Sequence, residues 1–120
     1  MSRMSEIHAD VSALAGPVRV ALDFTETTFD AAHKGEFADQ VHGHTWHVRI
    51  YWPAEACCDA RYMHDRLTDV VSEWDHTLLD GKVEPTNYGV CKAVAERISG
   101  LSKVRVWRGG KVPCGAEVAL

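Results

Sequence analysis

The chain lacks several features that would place it in a membrane, outside the cell or on nucleic acid. No apolar run approaches the roughly 20 residues that a helix needs to cross a bilayer. The first residues lack the continuous hydrophobic segment of a secretory signal peptide, so we expect a cytoplasmic protein with no membrane partner. The formal net charge of −4 leaves no basic surface for nucleic acid. Internal repeats and low-complexity segments are also missing, and 120 residues suffice for one domain but not for two.

Cysteine is present in small number and without the spacing of a zinc or redox motif. The four residues are Cys57, Cys58, Cys91 and Cys114, and no CxxC pattern occurs. Adjacent Cys57 and Cys58 cannot readily form a disulfide with each other. In a cytoplasmic protein we therefore interpret all four as reduced thiols. Buried, inert cysteine is the commoner case, and a reactive role for one of them stays open.

Histidine, by contrast, is concentrated in one stretch. His33, His42 and His44 lie within twelve residues, and Gly43 separates the last two. From His44 to Trp52 apolar and polar residues alternate, and this period of two predicts a half-buried strand. Residues i and i+2 share a face, so His42 and His44 present their imidazoles side by side, and His33 joins them if the preceding strand pairs with this one.

Three neutral imidazoles suit Zn²⁺, which in catalytic sites takes three protein ligands and keeps a fourth position for water or substrate. The alternative is that these are ordinary histidines satisfied within the core. The spacing alone favours a zinc site on His33, His42 and His44.

The remaining patterns predict the other elements. Val18 to Phe24 alternate as a strand, but the residues from Phe29 to His33 follow the opposite parity, which predicts a bulge near residues 25–28 or two separate strands. Pro53 ends the second strand, and a polar loop over 34–41 makes an antiparallel hairpin the expected connection.

Two helices are expected in the middle of the chain. Asp59 is the predicted cap of the first, whose apolar stripe runs from Met63 to Trp74. Thr86 is the predicted cap of the second, and Gly100 ends it. Short strands are expected over 103–108 and 115–120. The order strand, strand, helix, helix, strand, strand predicts an α+β fold with an antiparallel sheet. We expect residues 1–16 to form a tail and residues 17–120 a single domain.

The strings FDAAH, HGHTWHV, WDHTLLD, EPT and VRVW, in this order and at these distances, resemble the 6-pyruvoyl-tetrahydropterin synthase and 6-carboxytetrahydropterin synthase family over about residues 18–120. The resemblance implies the tunnelling fold (T-fold): a four-stranded antiparallel sheet with two helices on one face. It also implies that three subunits join their sheets into a barrel, that two trimers usually stack into a hexamer, and that active sites lie between subunits. The family's zinc ligands fall on His33, His42 and His44.

The resemblance also assigns a catalytic Asp-His pair to Asp75 and His76. A carboxylate beside an imidazole fixes its tautomer and raises its basicity. Because adjacent residues rarely hydrogen-bond each other, we expect His76 to find its partner on another segment or another subunit. The alternative is that the pair merely ends the helix.

Two positions depart from the family pattern. The synthases usually carry a cysteine four residues before HGH, where this chain has Ala38, with Asp39 beside it as a candidate carboxylate base. The family places a pterin-binding glutamate where this chain has Arg108. A guanidinium has donors only and suits a phosphate or carboxylate, unless Arg108 points to solvent and pairs with an acid. Asn87 also stands where the family commonly has an acidic residue after its Pro-Thr pair.

These observations predict a zinc-dependent lyase or cyclase that has diverged from the pterin synthases and acts on a small anionic hydroxy-carbonyl or sugar-phosphate-like molecule. His76, with Asp75 or Asp39, is expected to move protons, and Arg108 and Thr86 to bind substrate. A Pictet–Spengler-type condensation of an amine with an aldehyde, or a retro-aldol cleavage, fits such a site.

Two alternatives stay open. One is an authentic tetrahydropterin synthase acting on dihydroneopterin triphosphate, in which Cys114 replaces the missing cysteine across a subunit boundary. The other is a non-catalytic zinc-binding module. In either case we expect a homo-oligomer, a trimer or a hexamer.

Overall fold

The computed structural model of the protein describes residues 20–34 and 40–120. The predicted tail over 1–16, Val18, and the loop residues Ala38 and Asp39 lie outside the described residues. The division of the chain into a tail and one domain over 17–120 therefore stays a prediction.

The described helices and strands follow the predicted order, with one short addition. They are β1 (Leu22–His33), β2 (His42–Pro53), α1 (Ala60–Ser72), β3 (Thr77–Leu78), α2 (Asn87–Arg97), β4 (Lys103–Arg108) and β5 (Cys114–Ala119). A 3-10 turn over Ala54–Ala56 follows β2. Among residues 20–34 and 40–120, no helix combines the length and the apolar character needed to cross a membrane.

The sheet has the strand order β3-β1-β2-β4-β5. β1, β2, β4 and β5 pair antiparallel with their neighbours, which confirms the α+β class and the four antiparallel strands. The sequence did not predict β3, which pairs parallel to β1 through Thr77 and Leu78 and makes the sheet mixed. Two residues are too few to show a periodicity, so no pattern could have indicated this strand.

β1 is one continuous strand, and the predicted bulge or break near residues 25–28 is wrong. Its register with β2 runs without interruption from Leu22 opposite Pro53 to His33 opposite His42. The change of parity arises because Phe24 faces the side of the sheet opposite to Phe29. There Phe24 contacts Tyr51, with ring centroids 5.9 Å apart, and the guanidinium of Arg49 lies 4.3 Å from its ring centre. A cation over an aromatic face stabilises a ring that remains half exposed.

Both helices pack on one face of the sheet and enclose a single core. α1 contributes Met63, Leu67, Val70 and Val71, and α2 contributes Val90, Cys91 and Val94. The facing residues alternate along the strands, as the period of two predicted; those of β2 and β4 are Trp46, Val48, Ile50, Trp52, Val104 and Val106. The same alternation carries on toward His44, so the face that builds the core also carries the histidines.

The predicted helix caps are confirmed. The Asp59 carboxylate accepts a hydrogen bond from the Arg61 amide at 2.9 Å, and the Thr86 hydroxyl accepts one from the Gly89 amide at 2.9 Å. The second helix ends at Arg97 and not at Gly100 as predicted; Gly100 takes a left-handed conformation with φ 83° beyond the end of the helix. Each cap satisfies an amide that the first turn of a helix leaves without an intrahelical partner.

Candidate active site

His33, His42 and His44 converge at one end of the β1–β2 hairpin. The register places His33 opposite His42 and Ala31 opposite His44, so the three rings share the face that packs against the helices. Their centroids lie 4.6 to 4.9 Å apart. One ring nitrogen from each lies within 4.8 Å of the other two, which is close enough to hold a single metal ion. The convergence predicted from the sequence is therefore present.

Backbone carbonyls fix the tautomers of two of these rings. Nδ1 of His33 lies 2.9 Å from the carbonyl oxygen of Pro85, and Nδ1 of His42 lies 3.2 Å from that of Gln40. A carbonyl oxygen only accepts, so each Nδ1 carries the hydrogen and each Nε2 presents a lone pair. The two Nε2 atoms are 3.1 Å apart. When both Nε2 atoms are unprotonated, their lone pairs repel each other at that distance, and a cation bound to both would remove the repulsion.

His44 brings a third imidazole to the cluster, with a ring nitrogen that no described atom uses. Its Nε2 is buried and has no hydrogen-bond partner among the described residues. Leaving a buried polar atom unpaired costs about 1–3 kcal/mol. Burial lowers the pKa of His44, and the charge of Arg108 and the two other imidazoles lower it further. A neutral ring with an orphaned nitrogen is what a metal ligand requires.

His33 is also held neutral. It is 5% exposed, and burial lowers its pKa; the hydrogen bond to Pro85 opposes this shift, while the charge of Arg108 adds to it. Three imidazoles whose ring nitrogens converge on one point fit a zinc ion. Among residues 20–34 and 40–120, no carboxylate or thiol joins the cluster, which leaves room for the predicted fourth position.

Trp46 forms the floor of the cluster. It is fully buried, and its ring meets His33 and His44 edge-on, with centroids 5.2 and 6.1 Å away. Its indole N–H donates to the carbonyl of Ala31 at 3.1 Å. A rigid, satisfied ring beneath two imidazoles limits their rotation, which holds their lone pairs on the same point.

Arg108 turns toward the histidines, so the alternative of a solvent-facing arginine paired with an acid is wrong. Its Nη1 donates to Nε2 of His33 at 3.1 Å, its Nε to Oδ1 of Asn87 at 3.1 Å, and its Nη2 to Sγ of Cys114 at 3.5 Å. The guanidinium also lies 4.6 Å from the ring centre of Trp46. Within the described part of the chain no carboxylate forms an ion pair with it, so its charge is available to an anionic ligand.

Asp75 and His76 hydrogen-bond each other directly, and the expectation that His76 must find its partner elsewhere is wrong. Nδ1 of His76 lies 2.8 Å from Oδ2 of Asp75. His76 has a positive φ of 58°, and this left-handed backbone turns the ring back onto its neighbour. The other oxygen of Asp75 accepts the Asp30 amide at 2.9 Å. That amide, followed by His76, lowers the pKa of Asp75.

The Asp75–His76 pair lies close to the histidine cluster but remains open to solvent. The His76 side chain is 79% exposed. It lines a shallow cleft together with Gly43, His44 and Thr45 of β2. His44 therefore belongs to both the cluster and the cleft. The backbone amide of His76 donates to the carbonyl of Asp30, which fastens this turn to β1.

A known protein family matches the part of the chain that contains these site residues. The model of the family described as 6-pyruvoyl tetrahydropterin synthase matches residues 24–113, three quarters of the chain. The chain belongs to the 6-pyruvoyl tetrahydropterin synthase family. The membership expected from the motifs is thus confirmed, and it supports a lyase-type activity related to pterin synthesis. Family enzymes typically use zinc, and the three histidines form a candidate site for it.

Two solved structures of the family share the fold. The Caenorhabditis elegans 6-pyruvoyl tetrahydropterin synthase aligns with a TM-score of 0.60 and 17% identity, covering 86% of this chain and 100% of its own. The Plasmodium falciparum enzyme aligns with a TM-score of 0.56 and 11% identity, covering 83% of this chain and 98% of its own. The predicted T-fold is therefore confirmed, whereas assembly into a barrel stays a prediction. None of the curated proteins matches the chain significantly.

Several contacts of this family member could not be read from its sequence. The carbonyl of Pro85 reaches His33 because α2 begins close against the preceding segment: a Cβ on Gly89 would lie 2.1 Å from the Glu84 carbonyl oxygen. Asn87, noted only as a departure from the family, holds the Arg108 side chain. Asp80 accepts the Lys34 amide at 3.0 Å, next to His33. Each contact joins distant segments, so no local pattern indicates it.

Thr86, Asp39 and the cysteines are the remaining residues to which the sequence assigned a possible role. The Thr86 hydroxyl donates to Glu84 at 2.9 Å and accepts from Gly89, which gives it a structural role; its assignment to substrate binding stays a prediction. Asp39 lies outside the described residues. Cys91 is buried, which raises the pKa of its thiol to about 11 and makes it inert, whereas the other three cysteines are exposed.

Proposed function

We propose that the protein is a zinc-dependent lyase or cyclase, diverged from the 6-pyruvoyl tetrahydropterin synthases, that acts on a small anionic hydroxy-carbonyl or sugar-phosphate-like substrate. One observation carries the proposal. Three imidazoles converge on one point, and a guanidinium without an acidic partner among the described residues lies beside them. The cluster fits a metal, and the neighbouring charge fits an anion.

His33, His42 and His44 would hold the zinc ion. When bound, zinc would supply Lewis-acid polarisation of a hydroxyl or carbonyl oxygen of the substrate. The hydrogen bonds from Nδ1 of His33 and His42 to backbone carbonyls support this assignment, because such contacts orient a ligand ring and raise its basicity.

Arg108 would bind the anionic group of the substrate. Its planar fork matches two oxygens of a phosphate or carboxylate. The glutamate that the family places at this position accepts hydrogen bonds from the pterin ring. Arg108 has only donors, so it would face the donors of the pterin ring with donors of its own. An unmatched buried polar pair costs about 1–3 kcal/mol, and more when one member is charged. The substitution therefore favours an anion over a pterin edge.

His76 would transfer the proton. Asp75 accepts from Nδ1, which leaves Nε2 of His76 facing solvent as the nitrogen that takes or gives a proton. The exposure of this ring supports a site completed by a second subunit. Asp39 is the second candidate base, as the sequence predicts.

A homo-oligomer agrees with the free edges of the sheet. Among the described residues, β5 pairs on one side only, and so does the part of β1 over residues 22–29. Unpaired edges favour association with another strand, and joining sheets into a ring removes them. We propose a trimer or hexamer with active sites between subunits.

The reaction proposed for this site is either an amine–aldehyde condensation of the Pictet–Spengler type, which would release water, or a retro-aldol cleavage. The test compares two substrate classes on the zinc-loaded protein: dihydroneopterin triphosphate, and phosphorylated hydroxy-aldehydes with and without an aromatic ethylamine. We expect turnover of the second class only. Tight binding and synthase-like turnover of dihydroneopterin triphosphate would overturn the proposal.

The matched variants are His76→Ala and His47→Ala. His47 lies on β2 and stacks on Trp107, with ring centroids 5.1 Å apart and no contact to the cluster. We expect His76→Ala to reduce turnover by about 10²–10⁴-fold, the usual contribution of a general acid–base group, with zinc binding retained. His47→Ala should leave turnover largely intact.

A second candidate is an authentic pterin synthase that uses Cys114. The observation in its favour is that Sγ of Cys114 accepts hydrogen bonds from Asn87 at 3.4 Å and from Arg108 at 3.5 Å, beside the cluster in the same subunit rather than across a boundary. Under this candidate, Cys114→Ser abolishes turnover of dihydroneopterin triphosphate. Under our proposal, pterin activity is absent from the parent and emerges only in the double variant Ala38→Cys, Arg108→Glu.

A further inference from the structure

Arg108 and a metal ion require the same lone pair. The hydrogen on Nδ1 of His33 is committed to Pro85, so Nε2 is the single acceptor of this ring. Nη1 of Arg108 donates to that nitrogen at 3.1 Å. A zinc ion would take it at about 2.0–2.1 Å. One in-plane lone pair serves one partner, so the metal can bind His33 only if the guanidinium leaves.

Electrostatics adds to this competition. A guanidinium is always charged and would lie a few ångströms from a divalent cation. Its other described partners are the amide oxygen of Asn87, the sulfur of Cys114 and the face of Trp46. Among residues 20–34 and 40–120, no carboxylate forms an ion pair with this charge. The described residues therefore place no carboxylate against the guanidinium to offset this repulsion, and the charge of Asp80 acts on His33 instead.

An oxyanion bound to Arg108 would relieve both effects. It would accept the Nη1 hydrogen in place of His33 and neutralise the charge that repels the metal. We infer that zinc and an anionic ligand bind this site cooperatively, with Arg108 as the coupling residue: each increases the affinity of the other, because each removes the guanidinium from Nε2 of His33. This inference rests on the proposed zinc site and adds that the affinity of this site for zinc depends on a bound anion.

The coupling would make zinc binding strongest when an anionic substrate is present. Without an anion, Arg108 weakens metal binding by holding a ligand nitrogen. With a phosphate or carboxylate of the substrate in place, the cluster is freed for the metal, so the complete site forms only with an anionic partner. Thermodynamic linkage requires the effect to be reciprocal and equal in size for the two ligands.

The experiment measures zinc affinity by competition with a chromophoric chelator, at one fixed pH for all samples. Sodium sulfate replaces sodium chloride at constant ionic strength, and sulfate serves as the oxyanion probe. We expect sulfate to tighten zinc binding to the unmodified protein by about fivefold or more, the low end of typical coupling between two sites. This comparison needs no substitution and decides the question even if a variant folds poorly.

The matched variants are Arg108→Gln and Arg105→Gln. Both arginines lie on β4, and each substitution removes one positive charge. Arg105, however, faces the opposite side of the sheet, over Trp107. We expect Arg108→Gln to bind zinc about tenfold more tightly than the unmodified protein, because a nearby like charge is gone, and to be insensitive to sulfate. Arg105→Gln should keep both the weaker affinity and the response to sulfate.

The outcomes separate this inference from the proposed function. Equal zinc affinity with and without sulfate, or equal affinity of the two variants, would overturn the coupling and leave the zinc enzyme standing. A response to sulfate that persists in Arg108→Gln would also overturn it, since the anion would then act elsewhere. Failure of all forms to bind zinc would overturn both.

Discussion

The Nδ1–H of His33 donates to the backbone carbonyl of Pro85, across 52 residues of chain, at 2.9 Å. This hydrogen bond links the sheet to the segment that opens α2. It also decides which nitrogen of His33 faces His42 and His44. The geometry of the candidate metal centre therefore depends on how closely α2 approaches its preceding residues.

Gly89→Ala tests that dependence. A Cβ at this position would lie 2.1 Å from the carbonyl oxygen and 2.5 Å from the Cβ of Glu84, so the segment that carries Pro85 must shift. We expect a loss of about 1–3 kcal/mol in the free energy of unfolding, as for other overpacked sites, together with weaker zinc binding. Chemical denaturation and metal competition measure the two effects.

Gly43→Ala is the control for this substitution. It lies between two of the histidines, yet an added Cβ would meet nothing within 4 Å. The free energy of unfolding should change by no more than about 0.5 kcal/mol. If Gly89→Ala were as well tolerated as Gly43→Ala, the close approach of α2 would not support the centre.

Thr86 tests whether a predicted substrate-binding residue acts instead as a helix cap. Thr86→Ala removes the acceptor for the Gly89 amide and should cost about 0.5–2 kcal/mol of stability. Thr86→Ser keeps the hydroxyl and should restore stability. Thermal unfolding of both variants separates the roles: if Thr86→Ser is fully stable but binds substrate poorly, the threonine contacts the substrate as well.

The lowered pKa of Asp75 predicts that the free energy of unfolding depends on pH. Its pKa in the folded protein lies below the ordinary value of 3.8 because the Asp30 amide and His76 stabilise the carboxylate. A lowered folded-state pKa contributes stability that is complete above the unfolded-state pKa and is lost as pH falls through the folded-state value. The unmodified protein should therefore exceed Asp75→Asn in stability at neutral pH, and the difference should shrink below about pH 3.8.

Melting temperatures of the two proteins, measured from neutral to acid pH, check this prediction. Glu55→Gln is a suitable control, since Glu55 is exposed in the turn after β2. A difference between the unmodified protein and Asp75→Asn that stays constant into the acid range would show that the carboxylate contributes nothing through its charge.

The parts of the structure that depend on periodicity could be predicted from the sequence. Alternation along β2 fixed the face on which His42 and His44 lie, and the spacing from Met63 to Val71 fixed the buried side of α1. The caps Asp59 and Thr86 could be predicted for the same reason: each depends on atoms within three residues.

The parts that depend on long-range contacts or backbone conformation could not. The bulge predicted in β1 is wrong because Arg49, from the neighbouring strand, covers Phe24 on the open face. The direct Asp75–His76 bond requires a positive φ that the sequence does not indicate. The inward turn of Arg108 depends on Asn87, 21 residues away, and on Trp46 beneath it.

Zinc content is the most direct measure of the central claim. The unmodified protein, His44→Ala and His47→Ala would be dialysed against limiting zinc, and bound metal would be measured by mass spectrometry alongside melting temperatures with and without zinc. His44 is the most informative ligand to remove, since its buried Nε2 has no other described partner. The metal-free His44→Ala protein should lose little stability for the same reason.

We expect about one zinc ion per chain and a zinc-dependent rise in melting temperature for the unmodified protein and for His47→Ala. His44→Ala should bind zinc at least about 100-fold more weakly, beyond the usual effect of changing a residue that only supports a ligand. Equal zinc content in His44→Ala and His47→Ala, or no zinc in the unmodified protein, would contradict the account.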